Sequence, residues 1–98
     1  MKKGPPEPPE YLLDSSKEFW RQVLDRYELE AHELKLLIFA CEALDRCDIA
    51  RQAIAKDGAF VKGERGHLVA HPGVKVIKDS QDAFRLILGK LDLRHVGL

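Results

Sequence analysis

Residues 56–72, KDGAFVKGERGHLVAHP, form a glycine-punctuated crossover between two long helix-forming segments. Gly58 can supply the left-handed conformation that ends a helix. Pro72 is tolerated in the first turn of a new helix. Between them, Phe60-Val61 and Leu68-Val69 are short β-prone pairs on either side of a glycine-containing turn. The crossover therefore predicts a helix stop, a small β-hairpin and a helix restart.

The segment before the crossover contains neither Gly nor Pro from Ala31 to Lys56 and is dominated by Ala, Leu, Glu, Lys and Arg. Such residues favour one long helix of about 26 residues, which would be about 39 Å long at ~1.5 Å per residue. Its predicted buried face comprises Leu34, Leu37, Ile38, Cys41, Leu44, Ile49 and Ile54.

Apolar residues after the crossover recur at alternating steps of three and four. This period predicts a helix that packs along the long one, most simply antiparallel to it. Gln81 interrupts the apolar seam and is expected to face a polar gap or a subunit boundary. The predicted seam is Val74, Ile77, Gln81, Phe84, Leu88 and Leu91.

The N-terminal segment is divided into an arm and a short helix. Residues 1–10 hold four closely spaced prolines, which predict an extended, flexible arm. This arm is either a disordered leader or a segment that packs on a neighbouring subunit. Residues 11–98 are predicted to form a single helical domain. A helix is predicted from about Ser16 to Arg26, with Ser15 as its cap and Glu18 completing a capping box. Its apolar stripe, expected in the core, is Phe19, Trp20, Val23, Leu24 and Tyr27.

These elements define the expected fold class. It is mainly α: a short N-terminal helix plus a long antiparallel helical hairpin whose connection carries a small β-hairpin. A chain of 98 residues makes one small domain. No apolar run approaches the ~20 residues of a membrane span and no signal peptide is apparent, which predicts a soluble intracellular protein. Cys41 and Cys47 would lie about 9 Å apart along one helix, so we expect buried thiols and no disulfide between them.

Enzyme signatures are missing from the sequence. The glycines of the crossover lack the strand–loop–helix context of a phosphate-binding loop. His67 and His71 are four residues apart in non-helical chain, where this spacing does not place two metal ligands on one face. The carboxylates are scattered along helices near basic neighbours, as on a solvated surface. We therefore expect no catalytic residues, no metal site and no cofactor.

Charge is distributed unequally along the chain. Residues 1–50 hold seven Lys/Arg and eleven Asp/Glu, a net charge of −4, whereas residues 51–98 hold nine and five, a net charge of +4. The second half could present a basic face to DNA phosphates, although Asp79 and Asp82 are interleaved with it at i, i+4 spacing. The proposed DNA-binding residues are Lys62, Arg65, Lys75, Lys78, Arg85, Lys90 and Arg94.

The order of short sequence motifs resembles the small subunit of phage terminases, in the family that carries His-Pro before its last helix. The resemblance spans roughly Pro8 to Leu93. The matching stretches are Pro8–Leu12, Lys17–Trp20, Leu29–Glu33, Lys56–Gly58, Phe60–Gly63, His71–Ser80 and Phe84–Leu93.

This resemblance implies a non-enzymatic DNA-packaging factor in the cytoplasm of the host bacterial cell. Such proteins form homo-oligomeric rings, bind double-stranded viral DNA, and recruit and regulate a large subunit that carries the ATPase and nuclease. The crossover is then expected to be a subunit contact through Phe60, Val61, Leu68 and Val69. Three alternatives follow from the residues alone: a helical protein-interaction adaptor, a small dimeric DNA-binding regulator and, more remotely, a metal-dependent nuclease.

Overall fold

The computed structural model describes residues 4–91 of the chain. Over this range it contains three helices and one two-stranded sheet. The helices are α1 (Asp14–Arg26), α2 (Ala31–Asp57) and α3 (Pro72–Leu91), and the strands are β1 (Phe60–Lys62) and β2 (Leu68–Ala70). The predicted fold class is confirmed, including the antiparallel hairpin between the two long helices.

The central helix, α2, is buried on two sides because it packs against both other helices. Its Cys41 thiol donates to the carbonyl of Ser16 in α1 at 3.6 Å, and its Cys47 thiol donates to the carbonyl of Ile77 in α3 at 3.7 Å. Leu37 and Cys41 are fully buried, as predicted. Trp20, Val23 and Leu24 of α1 share this core, so the predicted stripe of α1 is confirmed.

Helices α2 and α3 run antiparallel and meet through small residues. Gly73 of α3 is so close to α2 that an added Cβ would lie 3.3 Å from the carbonyl oxygen of Ala50 and 3.3 Å from Cδ1 of Ile54. Cys47 also lies on this contact, and Ala40, Ala43 and Ser80 are further small residues of the two helices that are buried. This close approach leaves little room for larger side chains between the two helices.

The small-residue contact corrects two predictions of buried residues. Ile49, expected on the buried face of α2, is 57% exposed, and Val74, expected at the start of the seam, is 45% exposed. Both side chains are directed towards solvent. The α2–α3 contact is formed by their chain neighbours, Ala50 after Ile49 and Gly73 before Val74. Gln81 is half-buried and lines a small cavity between these helices with Leu44.

The predicted cap of α1 is also wrong. The helix begins at Asp14, its N-cap residue is Leu13, and no side chain of that residue caps it. Instead, Asp45 of α2 accepts hydrogen bonds from the backbone N–H of Leu13, at 3.2 and 3.3 Å, and from the hydroxyl of the buried Ser16. The backbone N–H of Leu13 at the start of α1 is therefore satisfied by another helix, and the predicted capping box of Ser15 and Glu18 is not formed.

The proline-rich segment contacts α1 in the described part of the arm. Pro8 is buried, and the indole N–H of Trp20 donates to the carbonyl of Pro6 at 2.9 Å. The backbone N–H of Leu12 donates to the carbonyl of Pro9. The division into an arm of residues 1–10 and a domain of residues 11–98 stays a prediction.

Candidate nucleic-acid and subunit interface

The β-hairpin of the crossover exposes a small apolar face. Its register pairs Phe60 with Ala70, Val61 with Val69 and Lys62 with Leu68. Alternation along the strands places Phe60 and Leu68 on one face and the two valines on the other. Phe60 is 64% and Leu68 is 68% exposed, so the described chain does not cover that face.

His71 holds the base of the hairpin through three hydrogen bonds. Its backbone N–H donates to the carbonyl of Ala59, and its Nδ1 accepts from the backbone N–H of Gly73 at 2.8 Å. With Nδ1 as an acceptor, the proton of the neutral ring is on Nε2, which lies 3.0 Å from an oxygen of Asp57. One side chain thus caps α3 and connects it to the last residue of α2.

This arrangement gives the His-Pro-Gly sequence a structural reason. His71 provides the cap, Pro72 occupies the first helical position, and Gly73 permits the close approach to α2. His67, the other histidine considered in the sequence, contributes its backbone carbonyl to the turn, where it accepts from the N–H of Gly63. The sequence pattern could have indicated the role of His71, because the residue immediately before a Pro at the first helical position is the N-cap residue.

The basic residues of α3 are largely paired within their own helix. Lys75 contacts Asp79 at 2.6 Å, and Asp82 contacts both Lys78, at 3.1 Å, and Arg85, at 2.7 Å. The hydrogen bond from Lys78, followed by that from Arg85, lowers the pKa of Asp82 below its usual value. The hydrogen bond to Asp79 raises the pKa of Lys75. The interleaved carboxylates therefore neutralise part of the predicted basic stripe.

Three of the seven proposed DNA-binding residues keep an uncompensated charge. Within residues 4–91, Lys62 and Arg65 on the hairpin and Lys90 near the end of α3 make no ion pair or side-chain hydrogen bond. Because α3 has 20 residues, Lys90 lies about 25–30 Å from the hairpin. The basic residues are thus spread over the hairpin and α3 rather than concentrated in one patch, and Arg94 lies outside the described residues.

The described chain offers no arrangement suited to metal binding or thiol chemistry. No group of three or more His, Cys, Asp or Glu side chains within residues 4–91 is placed to hold a metal ion. Burial raises the pKa of the Cys41 thiol to about 12, so this thiol stays protonated near neutral pH. None of the three helices of the described range is long and apolar enough to cross a bilayer.

Comparison with known families identifies the chain. The family model of the phage terminase small subunit matches residues 16–95, about four-fifths of the sequence. The chain belongs to the phage terminase small-subunit family. No curated protein and no solved structure matches it. The family match confirms the resemblance given by the sequence motifs and assigns the chain a general role in viral DNA packaging. Terminase small subunits are generally non-catalytic.

Proposed function

We propose that this terminase small subunit is a non-enzymatic packaging factor that binds double-stranded viral DNA and recruits and regulates the large ATPase and nuclease subunit in the host cytoplasm. The observation that supports the proposal is the family match over residues 16–95. No cofactor is required for this function. The two contacts that the function needs, with DNA and with further subunits, are both assigned to the crossover and α3, and on the hairpin Lys62 is paired with Leu68.

DNA contact is proposed for the basic residues of the hairpin and α3. Lys62 and Arg65 are free to neutralise phosphates without breaking an existing pair. Lys75, Lys78 and Arg85 must first exchange a carboxylate for a phosphate, but ion pairs this exposed to solvent contribute little to stability. The exchange is therefore inexpensive, and several copies in one assembly would multiply the DNA contacts.

The DNA-binding proposal is tested by the anisotropy of a labelled duplex at several salt concentrations. We expect binding at about 50 mM salt that weakens steeply towards about 200 mM, because each phosphate contact contributes ~0.9 to the slope of log K against log salt. Lys62→Ala/Arg65→Ala should reduce the slope, whereas Lys17→Ala/Arg21→Ala, on α1, should leave it unchanged. Failure to bind DNA at the lowest salt would refute this part of the proposal.

Assembly into a ring is proposed to involve the apolar face of the hairpin. An isolated two-stranded hairpin is marginally stable in water, and Phe60 and Leu68 would gain most from cover by a second copy. A contact between different surfaces of identical subunits can close into a ring. Phe60→Ser/Leu68→Ser should reduce the mass measured by light scattering, with Val74→Ser as the exposed control. A wild-type monomer would refute the ring. An unchanged assembly mass of the double variant would refute the hairpin contact.

A helical adaptor without DNA affinity is the second candidate, and the paired charges of α3 favour it. In that case Lys75→Glu/Lys78→Glu would leave partner binding intact and there would be no DNA affinity to lose. The two functions are separated by measuring both activities of this variant. Co-elution with the large subunit from the same phage tests recruitment, which both candidates share.

A further inference from the structure

Five large apolar side chains are exposed along the two long helices, and four of them, all except Val74, belong together. Phe39 and Ile49 lie on α2, and Val76 and Leu86 lie on α3, with exposed fractions between 39% and 64%. At about 100° per residue, the two members of each pair fall within about 80° of each other around their helix.

The four side chains lie on the same side of the helical pair. Leu44 and Arg51 of α2 line one small cavity with Gln81 and Arg85 of α3, which identifies one side of the pair. Around the axis of α2, Phe39 and Ile49 lie about 140° from Leu44. Around the axis of α3, Val76 and Leu86 lie about 140° from Gln81. Both also lie at least about 100° from Arg85. Both pairs therefore belong to the opposite side, which we call the open face.

The open face has two apolar levels. Cys47 is level with Ile77 and Ala50 with Gly73, which fixes the antiparallel register of the two helices. In this register Phe39 is level with Leu86, and Ile49 is level with Val76. The two levels are separated by ten residues of helix, or about 15 Å. This span corresponds to nearly three turns of a third helix.

The open face carries more uncompensated cations than uncompensated carboxylates. Within residues 4–91, Lys35, Arg46 and Lys90 make no ion pair or side-chain hydrogen bond. Wheel positions place all three on this side of their helices. Of the carboxylates on the same side, Asp79 is paired with Lys75. Glu42 and Asp57 keep their negative charge, because the groups that they contact, the hydroxyl of Tyr11 and the neutral ring of His71, are uncharged.

We propose that the open face binds an amphipathic helix with acidic flanks, supplied by a partner protein. A helix of about three turns can place apolar anchors at i, i+3, i+7 and i+10 between the two levels, as in helix-in-groove recognition. Acidic residues beside these anchors would meet Lys35, Arg46 and Lys90. DNA fits this face poorly, because the phosphate backbone gains nothing from exposed Phe39 and Leu86. The inference goes beyond the proposed packaging function.

The test uses the full chain and a fluorescein-labelled synthetic peptide of about 18 residues, with Leu anchors flanked by Glu. Two matched peptides carry Lys in place of Glu or Ser in place of Leu. We expect the Glu-flanked peptide to bind, the Lys-flanked one to bind at least about tenfold more weakly and the Ser peptide not to bind. Phe39→Ser and Leu86→Ser should each weaken binding about tenfold, whereas Val74→Ser, on the other side of α3, should not.

A charge exchange provides the sharper test. Arg46→Glu should weaken the binding of the Glu-flanked peptide and strengthen the binding of the Lys-flanked one. Circular dichroism verifies that the helices of the variant are retained. Equal affinity for both peptides, or no binding of either, would overturn the proposal. A fall in the mass of the assembly caused by Phe39→Ser would show instead that a second copy covers the face. Loss of DNA affinity in Phe39→Ser with unchanged peptide affinity would likewise overturn it.

Discussion

Replacing Asp45 by Ala is expected to destabilise the protein far more than the loss of a half-exposed surface charge. Asp45 satisfies the N–H of Leu13, at the start of α1, and the hydroxyl of Ser16, which has no exposed surface. Loss of an N-terminal cap costs about 1 kcal/mol. A buried hydroxyl without a partner costs a further ~1–3 kcal/mol. The expected decrease in the free energy of unfolding is therefore about 3 kcal/mol.

Urea and thermal unfolding, at one fixed protein concentration, measure this decrease. For a domain of this size a loss of about 3 kcal/mol corresponds to a fall in Tm of roughly 12–24 °C. Trp20 lies in the middle of α1 and reports locally on that helix through its fluorescence. Asp45→Asn keeps one carbonyl acceptor and should cost only about 1 kcal/mol.

A double-mutant cycle separates the two contributions. Ser16→Ala removes the hydroxyl, so in the Ser16→Ala background Asp45→Ala no longer leaves a buried donor unsatisfied. The two changes together should cost about 1–2 kcal/mol less than the sum of the single changes. Additive costs would show that Asp45 does not satisfy the Ser16 hydroxyl, and a decrease below about 0.5 kcal/mol for Asp45→Ala would show that it does not cap α1 either.

Three further predictions concern the crossover and the core. His71→Ala should lower the free energy of unfolding by about 1–2 kcal/mol, and His71→Asn by less, because Asn can still cap α3; thermal denaturation compares the two. Gly73→Ala should be destabilising although Ala normally favours helix, because the new Cβ would lie 3.1 Å from Nδ1 of His71 and 3.3 Å from α2. Urea unfolding measures this loss, with Gly89→Ala as the control because nothing lies within 4 Å of a Cβ at that position. Because folding raises the pKa of Cys41 from 9.0 to about 12, the unfolded chain loses its thiol proton first. Stability should therefore fall as pH rises through this window, by up to about 4 kcal/mol relative to Cys41→Ala.

The crossover was predictable because its signals are local. Gly58 has a φ of 88° and ends α2, and Pro72 begins α3, as the residue types indicate. The β-prone pairs on either side of the turn form the expected strands. Each of these features depends on the backbone preference of one or two residues, so no knowledge of distant contacts was needed.

The helix contacts were less predictable because they depend on small residues. A periodicity of large apolar side chains suggested Ile49 and Val74 as buried positions, whereas the helices approach through Ala50 and Gly73. Small residues produce no strong apolar stripe, and α2 has two buried sides, so its apolar residues occur nearly all around it. The cap of α1 was missed for a related reason: Asp45 is 32 residues from Leu13 in sequence.

The candidate site combines local and distant determinants in the same way. The positions of Lys75 and Lys78 on one surface of α3 follow from helical spacing, and their pairing with carboxylates four residues along follows from the same spacing. What helical spacing does not reveal is which cations remain uncompensated once all three helices and the hairpin are in place. That remainder includes Lys62 and Lys90, which form no ion pair with any residue between 4 and 91.

If the exposed face of the crossover is the proposed subunit contact, the hydrogen bonds at its base fix its direction before that contact forms. A turn that only reversed the chain would need neither the bond from the N–H of His71 to Ala59 nor the contact of its ring with Asp57. These bonds fix the direction of a hairpin whose own two strands pair over three residues each. Holding Phe60 and Leu68 exposed in a fixed direction costs solvation free energy in the isolated chain. A second surface that covers them recovers that free energy, and because their orientation is already fixed, little further ordering is required on contact.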